Sequence, residues 1–241
     1  MALKGDGDTV EEVSAPRPGR RRSQTERSAQ TRERVLAATI RLLREGGYSA
    51  ASVQAIAREA GMSLGSLQHQ FPTKAKLMTA VVEQLAARRI EAYRAEAERT
   101  ADPMTRYRNA LDTTWSLVRQ PEFAATLEIM LARRSDPELW AESAGAFEVN
   151  DTLLREWVVG LGEAAGENPR AAEFRRSLSN TFMYGLALRL AVGLDPGEAE
   201  ALVAYWKSLL EIAGRRPDLS AAILTPGKPP GGATGAGRDP D

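Results

Sequence analysis

Apolar residues recur three and four positions apart along most of this chain, and no segment alternates apolar with polar residues as a half-buried strand does. The pattern predicts an all-α protein of about nine helices. A first helix is expected from Ser28 to Glu45, with Leu36, Ile40 and Leu43 on one stripe and Gly46-Gly47 ending it. Ser52 is a good N-cap for a second helix that turns Val53, Ile56, Ala57 and Ala60 inward and stops at Gly61. Ser63 caps an equally short third helix with Leu67 and Phe71 inward and Met62 in the turn, and Pro72 ends it. Thr73 opens a fourth, longer helix. Breaks at Pro103, Pro121, Asp136-Pro137, Gly166 to Pro169 and Asp195-Pro196 predict five more, near 103–119, 122–133, 137–161, 169–193 and 196–213. An arm over residues 1–27 lacks apolar periodicity and a tail over 217–241 is rich in Pro, Gly and charge, so both are expected to be disordered.

Two short helices joined by a glycine-containing turn and backed by a third form a helix-turn-helix, although an ordinary helical hairpin has the same spacing. The formal net charge of zero hides an asymmetry that bears on the choice. Residues 1–15 carry net −3, Pro16 to Ile90 hold 14 Lys and Arg against 5 Asp and Glu, and Glu91 to Asp241 hold 17 against 23. A basic block on an otherwise acidic chain suits a polyanion, and also a merely solvated face. Cysteine is absent and His69 is the sole histidine, which excludes disulfides, thiolate nucleophiles and Cys- or His-rich metal sites. No spaced acid, base and nucleophile set is present, so a binding protein without metal or cofactor is expected, not an enzyme. No run of about 20 uncharged apolar residues occurs, and a cytoplasmic protein with no membrane partner is expected.

In a helix-turn-helix the second short helix enters the major groove. With Leu67 and Phe71 inward, the third helix here turns Gly65, Ser66, Gln68 and His69 outward, with Leu64 and Gln70 at the margins and Ser63 at its cap. Gln68 can bond bidentately to adenine, Ser66 can donate or accept, and Gly65 lets backbone approach DNA; each is also an unremarkable surface residue. Lys74 and Lys76 lie in the first turn of the fourth helix, where positive charge opposes the helix dipole, and a docked phosphate would reverse that cost. Arg17 and Arg20 to Arg22 suit a minor-groove arm or a solubilising tail.

The string SVQAIAREAGMSLGSLQHQFPTKAKLM, Ser52 to Met78, resembles the DNA-binding signature of the tetracycline-repressor (TetR) family, over roughly residues 28–80. Its Ile-Ala pair, Ala-Gly turn, small-residue start to the third helix, Leu67 and Phe71 anchors and the lysine opening the fourth helix carry the likeness. The resemblance implies that Gln54, Leu64, Gly65, Ser66, Gln68 and His69 face bases or nearby backbone, while Ser52 and Lys74 hold phosphates. Gln68 departs from the tyrosine often found there, and Gln70 is polar as well. The likeness further implies a DNA-binding domain over 28–80 and an effector-binding and dimerisation domain over 81–216: a homodimeric repressor released from double-stranded operator DNA by a small-molecule effector. A regulator without such a switch, an architectural protein or an activator shares the same signature.

On that family plan the last two helices pair with a second subunit. Leu178, Phe182, Leu186 and Leu190, with Gly185 and Ala187, and then Leu202, Val203, Tyr205, Trp206, Leu209 and Leu210, could form the interface or pack within the chain. Trp115, Phe123, Met130, Phe147, Trp157 and Phe182, with Trp140 and Met183, could line an effector cavity or fill a core. Arg133, Arg134, Asn150, Asp151 and Asn180 are polar residues near them that could orient a ligand.

Overall fold

The computed structural model describes residues 24–99, 102–164 and 166–214. Every regular element among them is a helix: α1 (Gln24–Ala50), α2 (Val53–Glu59), α3 (Leu64–Gln70), α4 (Lys74–Ala97), α5 (Pro103–Val118), α6 (Pro121–Ala132), α7 (Pro137–Ala164), α8 (Pro169–Ala191) and α9 (Pro196–Gly214). The last five each open on a proline, whose fixed φ suits the first helical position and whose missing N–H would have no partner there. Caps precede most of them: Asp102 accepts from Thr105 N–H at 2.8 Å, Asp136 from Leu139 at 2.9 Å, Asn168 from Arg170 at 2.9 Å and Asp195 from Glu198 at 3.0 Å.

α1 begins four residues ahead of Ser28, so residues 24–27, expected to be disordered, are helical; Glu26 in the first turn complements the helix dipole. The rest of the expected arm, with Arg17 and Arg20 to Arg22, and the expected tail lie outside the described residues. At its other end α1 breaks at Gly47, whose φ of 72° favours glycine. A Cβ there would meet the Glu128 carboxylate at 3.0 Å.

Val35, Leu36 and Leu43 of α1, Ile56 of α2, Leu67 of α3, Phe71, and Leu77, Met78 and Val81 of α4 enclose one core. That core does not stop at α4, because Ala125 and Ile129 of α6 and Leu139 of α7 complete it. α1 therefore rests on α6, and α4 on α7. A second core joins Trp115 and Val118 of α5, Leu127 of α6, Met183 and Leu186 of α8 and Val203 of α9. No helix among the described residues is long and apolar enough to cross a membrane.

Candidate DNA interface and effector cavity

The Oγ of Ser52 accepts from Ala55 N–H and that of Ser63 from Ser66 N–H, each at 3.2 Å, so both short helices carry the caps their sequence calls for. Between them Gly61 has φ 65°. The N–H groups of Gly61 and Met62 bond the carbonyls of Arg58 and Ala57 at 3.1 and 3.0 Å. This closure satisfies the last carbonyls of α2 and fixes the direction in which the chain leaves it. From behind, α3 is pinned by Leu67, fully buried, and Phe71, over whose ring the Arg32 guanidinium sits at 4.9 Å.

The outer face of α3 then carries Leu64, Gly65, Ser66, Gln68 and His69, all exposed, as are Ser63 and Gln54. Gln70 differs: it is half-buried and its Oε1 is enclosed without a partner, so it turns away from the face. At Gly65 an added Cβ would meet nothing within 4 Å. Packing within the chain does not require a glycine there.

The start of α4 departs from the sequence reading. Thr73 caps it, accepting from Lys76 N–H at 3.2 Å. Lys74 points back into the fold, donating to the Tyr48 carbonyl at 2.8 Å with its ammonium 3.6 Å from the Tyr48 ring centroid. Burial pulls its pKa down, and Asp136 partly restores it. The lysine that opposes the helix dipole is thus answered within the chain by a carbonyl and a ring face. Lys76 is exposed.

Tyr48, which the periodicity did not single out, is gripped from several sides. Its N–H donates to Glu128 of α6 at 3.0 Å and its hydroxyl to Asp136 at 2.8 Å. Burial first, then Asp136, pushes the phenol pKa up. Asp136 is in turn held below the usual carboxylate value by Leu139 N–H and then by the Tyr48 hydroxyl. The junction before α2 is therefore tied to α4, α6 and the cap of α7 at once.

Among the spaces in the remaining helices, two meet at Phe123. An inner cavity of about 60 Å³ is walled by Val82, Leu85 and Arg89 of α4, Phe123 of α6, Phe147 and Asn150 of α7 and Tyr184 of α8. An outer cleft of about 370 Å³ is walled by Trp115, Val118 and Arg119 of α5, Phe123, Leu190 of α8 and Glu200 of α9. Of the six aromatic or sulfur residues expected to form a pocket, Phe123 and Phe147 line the cavity and Trp115 and Phe123 the cleft. Met130, Trp157 and Phe182 line neither: Met130 packs on the second core, Trp157 on Tyr93 at 4.9 Å between ring centroids, and Phe182 on Trp206 at 5.2 Å. Among the polar residues singled out, Asn150 is in the wall, whereas Arg133 lies between the rings of Trp140 and Phe147, 4.3 Å from each. Arg89, Glu122 and Tyr184, polar groups on half-buried helix faces, and Gln120, the exposed N-cap of α6, carry no sequence signal beyond that.

On α8 the expected stripe mostly points inward, since Leu186 and Ala187 are buried and Phe182 stacks on α9. Of the expected residues, Leu178 and Gly185 on α8 and Tyr205 and Leu209 on α9 are exposed; Phe174, Leu188 and Val192 join the first two in one stripe, and Ile212 extends the second.

The model of the family described as "Bacterial regulatory proteins, tetR family" matches residues 35–81. The HTH-type transcriptional regulator CymR of Pseudomonas putida is 28% identical over 197 residues, 82% of this chain and 96% of its own length. The HTH-type transcriptional repressor AcnR of Corynebacterium efficiens is 29% identical over 198 residues, 78% of this chain and 94% of its own. A TetR transcription regulator from Haloarcula marismortui, solved by crystallography, superposes with a TM-score of 0.60 at 28% identity, covering 75% of this chain and 95% of its own.

Proposed function

Because this chain belongs to the TetR family of bacterial transcriptional regulators, we propose that it is a homodimeric repressor that leaves a pseudo-palindromic operator when a small molecule occupies the helical body above α1–α4. The exposed polar face of α3, anchored from behind by Leu67 and Phe71, carries the proposal. Gln68 and Ser66 read base edges, Gly65 lets the backbone approach, Leu64 meets a thymine methyl, and Gln54 and His69 lie at the edges of the contact. Ser52 and the uncapped N–H groups of the first turn of α4 hold phosphates, with Lys76 as the pairing cation and Lys74 as the brace that keeps this helix end against Tyr48. The name of the Corynebacterium relative supports repression over activation.

Dimerisation places two α3 helices in successive major grooves about 34–36 Å apart. The stripe from Phe174 to Val192, with small Gly185 at its middle, and the Tyr205 to Ile212 stripe of α9 are the self-complementary surface. Release requires the effector to favour the arrangement that does not fit DNA. α6 suits that task, since Phe123 and Thr126 line the cavity and Glu128 on the same helix holds Tyr48. Footprinting on DNA flanking the gene tests the proposal: two protected half-sites related by a dyad are expected, and one asymmetric site or none would overturn it.

A further inference from the structure

The inner cavity holds polar groups that nothing in the protein answers. The Nε of Arg89 and the Oδ1 of Asn150 are both buried without a hydrogen-bond partner, and both residues are in its wall. Among the described residues Arg89 forms no ion pair, and Glu122, the acid of the same wall, does not reach it. An enclosed N–H of a charged group without a partner is costly, and it is completed from outside the chain, by water or by a bound acceptor. The outer cleft contrasts with this, because its two charges, Arg119 and Glu200, pair with each other at 2.7 Å.

We infer that the cavity takes a small carboxylate with an apolar body, a reading that rests on the proposal of a ligand-controlled regulator. The carboxylate accepts from the Arg89 fork, and from the Asn150 amide once this is flipped so that its NH2 group takes the place of the orphaned Oδ1. About 60 Å³ holds such a head group and little more. Phe123 and Gln120 are shared with the cleft of about 370 Å³, so Phe123, 5.4 Å from the Tyr184 ring, is the partition. A rotamer change at Phe123 lets the apolar body run past it toward Trp115 and Leu190.

Calorimetry of the full chain with 3-phenylpropanoate and 3-phenylpropanamide, nearly equal in shape and different in charge, tests this. The acid should bind about tenfold or more tightly than the amide. Arg89→Gln should lower the affinity for the acid to that for the amide while amide binding persists, which also shows that the variant is folded. Asn150→Ala should lower acid binding by less. Phe123→Ala should tighten both ligands and keep their ratio. Equal binding of acid and amide, a preference that survives Arg89→Gln, or no binding of either ligand to the wild type would overturn the inference. Operator binding by the unliganded wild type is read separately: its loss defeats the proposed function, whereas its retention without an acid preference defeats only the carboxylate.

Discussion

Ser52, Ser63 and Thr73 each cap the helix they precede, and Leu67 and Phe71 close an apolar core behind α3, whereas the wall of the inner cavity leaves Arg89 and Asn150 unanswered. The first region is closed within the chain apart from the enclosed Gln70 Oε1 and Thr79 Oγ1, and offers most of its polar groups outward. The second is incomplete within the chain and offers them inward. Complete packing fixes one geometry, as a reading head for a rigid double helix needs. Unmatched groups beside unfilled space leave a second geometry within a ligand's reach. Tyr48 joins the two, bonded to Glu128 and Asp136 on one side and to Lys74 on the other.

The sharpest test of that contrast compares deletions in the two regions. Leu67→Ala should cost about 2–5 kcal/mol in denaturant unfolding, because a fully buried side chain leaves a cavity its neighbours cannot close. Phe147→Ala, half-buried beside space that already exists, should cost clearly less. Equal losses would erase the distinction.

Next in size is the pair of lysines at the start of α4. Lys74→Met should lower the melting temperature by removing the bond to the Tyr48 carbonyl, by about 1–2 kcal/mol equivalent. Lys76→Met should leave melting unchanged and reduce the salt slope of DNA binding by about one. Exchanged phenotypes would return the phosphate to Lys74.

A smaller effect appears with pH. Asp136 titrates lower in the folded chain than its ordinary 3.8, so it lends stability above that value and loses it as pH falls through the folded value. The stability difference between wild type and Asp136→Asn should be full at neutral pH and close under acid conditions. A gap independent of pH would mean that the Tyr48–Asp136 bond does not depend on charge. Smallest is Gly65→Ala: with nothing within 4 Å of the new Cβ, unfolding should be unchanged or up to about 1 kcal/mol more stable, while operator affinity falls. Unchanged affinity would remove Gly65 from the interface.

Local chemistry explains what was legible in the sequence. Caps and stops act within four residues, so Ser52, Gly61, Ser63, Pro72 and the five later prolines mark helix ends wherever the helices pack. The outward face of α3 follows from the positions of Leu67 and Phe71 alone. Long-range convergence was not legible. Tyr48 meets Asp136 across 88 residues, and in sequence Asp136 was only a break before Pro137. Likewise the cavity draws its wall from five helices, so aromatic content pointed to Trp157 and Phe182, which fill cores, and passed over Arg89. Lys74 shows the limit of a local rule: a lysine against the dipole needs a partner, and the fold supplies one from Tyr48 that the neighbouring sequence does not point to.

Selection of binding sites from random DNA by the wild type and by Gln68→Ala most directly tests the claim that the exposed face of α3 reads an operator as a dimer. A palindromic motif is expected, with half-site centres about 10 base pairs or a multiple of that apart, and with preference lost at the same position of both half-sites in the variant. A single asymmetric motif, or an unchanged motif in Gln68→Ala, would contradict it.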